Sequence, residues 1–295
     1  MLNKSYFLLI ISVISVSFSA ILIVSIETHP LTIAFYRMLF TTLIILIILI
    51  TNKKSINELQ NFTKKKILFM ILIGIILAIH FSLWITSLKL TSVASSVILV
   101  STHPIIVGPI SHYFLKERLS KFNVLGIILA IFGVIILVYG NYGLSTITID
   151  TMGGNLLALL GGIAAGFYII GGRQIRKTTS LINYTFIVYS ASTITLFIIC
   201  VLLSVPINNV SIRDFQLILI MAIISGIFGH TLYNWVLKYI KTSIVSVALL
   251  GEPLGSTLLA YAIPWINQTP SNYTVLGGII IIIGIYLTAK NNLIK

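Results

Sequence analysis

In a chain of 295 residues, 58% are apolar and only 8% charged, against about a quarter charged in a typical soluble domain, and the mean hydropathy is +1.09. The balance excludes a soluble enzyme. It also excludes a nucleic-acid-binding module, because the formal net charge of +13 sits in short breaks between apolar runs and not on one basic face.

A helix needs about 20 mainly apolar residues to cross a hydrocarbon core of about 30 Å. That ruler predicts an all-α polytopic membrane protein with ten spans, over 6–26, 31–51, 67–88, 92–114, 123–141, 153–173, 183–205, 215–237, 243–265 and 273–289. The first follows Lys4 and outruns the about 7–15 apolar residues of a signal core, so it is expected to be retained. Sixteen of the nineteen lysines and arginines then fall on the side of the N-terminus, Lys89 and Arg213 fall on the other, and Arg37 lies within a span. By the positive-inside rule, both termini are expected in the cytoplasm, with the protein in the cytoplasmic membrane.

Taken in chain order, span one carries Ser12, Ser15 and Ser19 on one face, a packing stripe. Arg37 in span two is a candidate for a substrate carboxylate, with snorkelling or pairing to Glu27 as the other reading. In span three, His80 precedes Trp84 by one turn. Span four holds His103-Pro104, and span six a close-packing pair, Gly162 and Gly166, followed by Tyr168. The single cysteine, Cys200, lies inside span seven, so no disulfide framework or cysteine metal site is expected. His230 and Tyr233 mark span eight; the aromatic rings offer a path lining, while interhelical bonding competes for the histidines. Glu252-Pro253 falls near the middle of span nine. A carboxylate there is costly in lipid and should face the bundle interior, as substrate contact or proton acceptor or, alternatively, as a group that locks the kink at Pro253. His103 changes charge near neutral pH in ordinary surroundings, which makes it a second coupling candidate.

These positions repeat. Trp84, Leu88-Lys89, His103 and Pro104 recur 149 residues later as Tyr233, Leu237-Lys238, Glu252 and Pro253. Val124-Leu125-Gly126 with Gly133 recurs as Val275-Leu276-Gly277 with Gly284. The expected division is a first unit over 1–141, an outer linker over 142–152 and a second unit over 153–295, each with five spans. An odd number of spans turns the second unit upside down, the mark of many secondary transporters.

The runs from Ser87-Leu88-Lys89-Leu90-Thr91-Ser92-Val93-Ala94 to His103-Pro104, Leu115-Lys116-Glu117-Arg118-Leu119, Val124-Leu125-Gly126, and His29-Pro30 with Phe35-Tyr36-Arg37 resemble an EamA-type repeat of the drug/metabolite transporter superfamily. The resemblance implies two inverted five-helix repeats and transport, often export, of small metabolites such as amino acids. In the second copy, Trp265-Ile266-Asn267-Gln268 stands where the family repeats a Gly-Glu or Lys-Glu pair, leaving Glu117 without a symmetric counterpart.

No phosphate loop, H-E-x-x-H or G-x-S-x-G signature occurs. The expectation is a gradient-driven transporter without cofactor or metal, whose partners are a small-molecule substrate, the lipid bilayer and a coupling proton. A channel or lipid scramblase is the first rival, and an intramembrane hydrolase the remote one.

Overall fold

A computed structural model of the chain describes residues 2–91, 93–142, 149–262 and 271–290. The described residues form helices and no strand: α1 (Leu2–Val24), α2 (Pro30–Thr51), α3 (Lys53–Gln60), α4 (Lys64–Leu90), α5 (Val93–Val100), α6 (His103–Phe114), α7 (Lys121–Tyr142), α8 (Ile149–Arg176), α9 (Leu181–Leu202) and α10 (Ile212–Met221). A π-helical segment, Ala222–Thr231, then leads into α11 (Leu232–Val236), α12 (Thr242–Ala248), α13 (Gly251–Ala262) and α14 (Asn272–Lys290). Nine described segments are long and apolar enough to cross a membrane, and Lys121–Leu137 is a shorter apolar helix. The protein is an all-α polytopic membrane protein.

Each predicted span has its counterpart, with three refinements. Spans four and nine are interrupted helices, α5 with α6 and α12 with α13. Span eight widens into π turns, where the Thr231 hydroxyl donates to the Gly226 carbonyl five residues back at 2.9 Å. The loop after span two folds into α3, capped by the Asn52 side chain at 3.1 Å from the Ser55 amide. The end of the predicted ninth span, 263–265, lies outside the described residues.

The helices pack in pairs that exchange with each other when the halves are exchanged. α4 lies on α8 as the π segment lies on α1, α5 and α6 meet α8 as α13 meets α1, α2 pairs with α9, and α7 pairs with α14. The last pairing explains the repeated glycines. Gly126 faces Gly284 and Gly133 faces Gly277, so the two helices run antiparallel. A Cβ on Gly133 would stand 2.8 Å from the Gly277 carbonyl oxygen, and one on Gly277 would stand 2.6 Å from the Gly133 oxygen. Only glycine permits this approach, which is how apolar helices gain contact where burial from water supplies no drive. Asn123 donates across the same seam to the Thr288 carbonyl at 2.6 Å.

The seam yields a signed test. Gly133→Ala should lower stability by about 1–3 kcal/mol through overpacking. Gly153→Ala, where no atom lies within 4 Å of the new Cβ, should instead raise it by up to about 1 kcal/mol through the better helix former. Thermal unfolding of the purified variants in detergent checks both signs.

Candidate functional site

Both interruptions are built by proline. Pro104 sits in the first turn of α6, and Pro253 in the first turn of α13, where the missing N–H of proline costs nothing. Each proline therefore starts a new helix after a tight turn and does more than bend one helix. The turns are closed by short-range bonds, from the Ile105 amide to the Thr102 carbonyl at 2.9 Å and from the Glu252 amide to the Leu249 carbonyl at 3.0 Å.

The two turns face one compartment. Its wall includes Val100, Ser101 and His103 from the first interruption and Leu249 and Glu252 from the second, with Val16, Ser19, His80, Trp84, Tyr168, His230 and Tyr233 from spans one, three, six and eight. The volume is about 60 Å³. A neighbouring chamber of about 40 Å³ shares Trp84, Ser101 and Glu252 and continues along Ala20, Leu137, Ser256 and Thr257. Together they hold only a few waters.

Seven of the residues singled out from sequence meet here: Glu252, His103, Trp84, Tyr233, His80, His230 and Tyr168. His80 Nδ1 lies 2.9 Å from the Gly161 carbonyl, so this nitrogen carries the proton and Nε2 is left for other partners. Its ring stacks on Trp84 at 5.9 Å and 7°. His103 Nδ1 bonds to the Ser246 hydroxyl at 2.8 Å, and that bond, not one to Glu252, is its hydrogen bond among the described residues. His230 Nδ1 bonds to the Tyr233 hydroxyl at 3.1 Å. Tyr233 meets Tyr168 edge to face at 6.2 Å, and Tyr168 accepts from Asn234 at 2.7 Å.

The serine stripe of span one divides. Ser12 packs, donating to the Gly229 carbonyl at 2.9 Å, whereas Ser19 reaches the compartment. Ser19 Oγ and Trp84 Nε1 are buried polar atoms without partners among the described residues. Buried donors of this kind are costly unless something binds them.

Arg37 stands apart. It neither snorkels nor pairs with Glu27: it is 1% exposed, its guanidinium carbon lies 4.5 Å from the Phe81 ring centre, and neither terminal nitrogen has a partner among the described residues. It lines a tight space behind His230, the side chain that also borders the compartment. Its charge and that of Glu252 lie within electrostatic reach of each other. Gly162 allows α8 to press on the first interruption, where a Cβ would meet the Val100 oxygen at 2.7 Å.

At the Thr242 end of the bundle, the sequence reading missed a knot around Glu117. One carboxylate oxygen binds Arg173 Nε at 2.7 Å, and the other accepts from the Thr242 amide at 2.7 Å. Arg173 also donates to the Leu237 carbonyl. The knot ties the segment after α6, α8 and the connection between α11 and α12. In sequence Glu117 stands out only within the Leu115–Leu119 motif, with nothing to name Arg173 or Thr242 as its partner. At the opposite end, Asp214 accepts from the Thr28 amide at 3.0 Å and hydroxyl at 2.7 Å. Among the described residues, no group of three or more His, Cys, Asp or Glu is arranged to hold a metal.

Comparison with known proteins accounts for the pattern. The model of the EamA-like transporter family matches residues 3–139 and again 152–290. The chain is 27% identical over 266 residues to the uncharacterized transporter YyaM of Bacillus subtilis (strain 168), covering 88% of this chain and 84% of that one. It is 24% identical over 266 residues to an uncharacterized transporter of Archaeoglobus fulgidus, covering 89% and 88%. One crystal structure superposes with a TM-score of 0.79 over 99% of both chains at 15% identity, a likeness of fold. Two matches in one chain, over helices that pair antiparallel, place it: the protein is a membrane transporter of the EamA-like family.

Proposed function

We propose that the chain is a secondary active transporter working by alternating access, built of two inverted units over 1–141 and 153–295, with both termini in the cytoplasm. The observation that carries this reading is the shared compartment walled by both helix interruptions. Half-helices meeting at mid-membrane are how such carriers form a site that either side can open. The antiparallel run of α7 and α14, equivalent helices of the two units, supports the inversion.

The substrate class that fits is a small metabolite with an apolar body and a carboxylate, an amino acid or relative, with export as the working direction. Trp84, Tyr168 and Tyr233 supply ring faces, and behind His230 Arg37 offers two terminal nitrogens without a hydrogen-bond partner among the described residues. Glu252 is the proton carrier or the contact for a substrate amine. In this reading the Glu117–Arg173 knot acts at the cytoplasmic end, on the opposite side of the compartment from Ser256 and Thr257 of the second chamber. A scramblase needs a polar track for headgroups, and the described lipid-facing groove, between α1, α12 and α14, is lined by apolar side chains apart from Tyr6. A catalytic reading has no support beside the family match.

Counterflow of a metabolite panel into liposomes containing the purified protein tests the reading; retention of no amino acid or related carboxylate would remove it. Glu252→Gln should abolish proton-driven uptake and its pH dependence while leaving exchange near wild-type rates, since exchange moves no net proton. Equal pH profiles for both proteins would contradict the coupling role. Arg37→Ala should weaken binding of carboxylated substrates by about tenfold or more, the value of a charged hydrogen bond, and leave an uncharged analogue unaffected. Arg173→Ala should speed hydrogen exchange at the Thr242 end of α12 by about tenfold or more, read by mass spectrometry.

A further inference from the structure

The largest of the cavities described above is the groove, with a volume of about 230 Å³, on the outside of the bundle. Tyr6, Leu9 and Val13 of α1, Ala248 and Gly251 beside the second interruption, and Ile285 of α14 line it. From Tyr6 to Ile14 the groove follows α1 for about 12 Å at 1.5 Å per residue, the depth of roughly one leaflet of a core about 30 Å thick. Each of the three helices carries a lysine within three residues of a lining residue: Lys4 beside Tyr6 on α1, Lys241 beside Ile244 just before α12, and Lys290 next to Ala289 at the end of α14. Lys241 reaches the Arg118 carbonyl only at 3.4 Å, and Lys290 sits 5.6 Å from the Phe122 ring centre, contacts that a phosphate oxygen would displace. α1, α12 and α14 carry no acidic residue.

We propose that this groove is a binding site for one anionic phospholipid of the leaflet facing the N-terminus, an acyl chain lying along α1 and the headgroup phosphate held by Lys4, Lys241 and Lys290. The occupant is argued from charge complementarity together with depth: an apolar slot one leaflet long, open to lipid and rimmed by cations, matches a chain with a negative head. The site has a mechanical position too. Ala248 and Gly251 form its floor, while their neighbours Leu249 and Glu252 face the central compartment on the other side of the same turn. A chain in the groove presses on the back of the interruption, so the lipid sets how readily that turn moves. Binding itself does not depend on the transport reading; only the leaflet's name does.

The test is native mass spectrometry of the purified protein titrated with phosphatidylglycerol or phosphatidylcholine, alongside melting temperature. The wild-type chain should retain one phosphatidylglycerol with about a tenfold preference over phosphatidylcholine and melt higher with it. Lys4→Gln, Lys241→Gln and Lys290→Gln together should remove the preference. Ile14→Trp, on the exposed face of α1, should fill the slot and lose the bound lipid while preserving the melting temperature of the lipid-free protein. Equal retention of both lipids, retention by Ile14→Trp, or a dimer in place of a lipid adduct would each overturn the proposal. Phosphatidylglycerol binding with no substrate counterflow would leave it standing and remove the transport reading alone.

Discussion

A helix that stops halfway through a bilayer exposes backbone polar groups where hydrocarbon offers them nothing, and the rest of this fold follows from hiding two such stops from lipid. Irregular backbone at membrane depth survives only inside protein or beside a wet cavity. Here Ser101 and Leu249 of the two turns border one compartment walled by spans one, three, six and eight, while Leu250 packs behind it in a cluster with α7 and α14. Gly162 lets α8 seal the first turn, and the glycines of α7 and α14 bring those helices close enough to back the second unit onto the first. Close packing and interruption are therefore one design.

The enclosed space holds more polar capacity than it satisfies. Trp84 Nε1 and Ser19 Oγ are buried at its wall without partners among the described residues, and behind His230 both Arg37 terminal nitrogens are buried in the same condition. A buried charge that lacks hydrogen bonds is expensive, so the site gains most from a ligand that supplies acceptors. That cost is the physical basis for proposing a bound carboxylate. The knot at Glu117 ties the segment after α6, α8 and the connection between α11 and α12 with an ion pair and two backbone bonds.

The spans, the repeat and most of the compartment were legible in sequence because hydropathy and spacing are local signals. His103 and Glu252 fall at equivalent places in the repeat, each before a proline, and the structure brings both to one cavity. What sequence concealed depended on long-range packing. Whether Arg37 faces headgroups or the core turns on the position of Phe81, 44 residues away in sequence. The partner of Glu117 is on α8, 56 residues off, and has no symmetric copy to betray it. The π turns of span eight leave no mark in a composition that reads as ordinary apolar helix, and proline signals a disturbance without telling a bend from a full restart.

The central claim is one compartment reached from one side at a time. Cysteines placed singly at Ser101 and Leu249, with Cys200 replaced by alanine, can be titrated with a membrane-impermeant thiol reagent in right-side-out and inside-out vesicles. The account requires both positions to be labelled from the same side under any one condition, and to switch together when substrate and gradient are changed. Ser101 labelled only from one face while Leu249 is labelled only from the other, or both labelled from both faces at once, would contradict it.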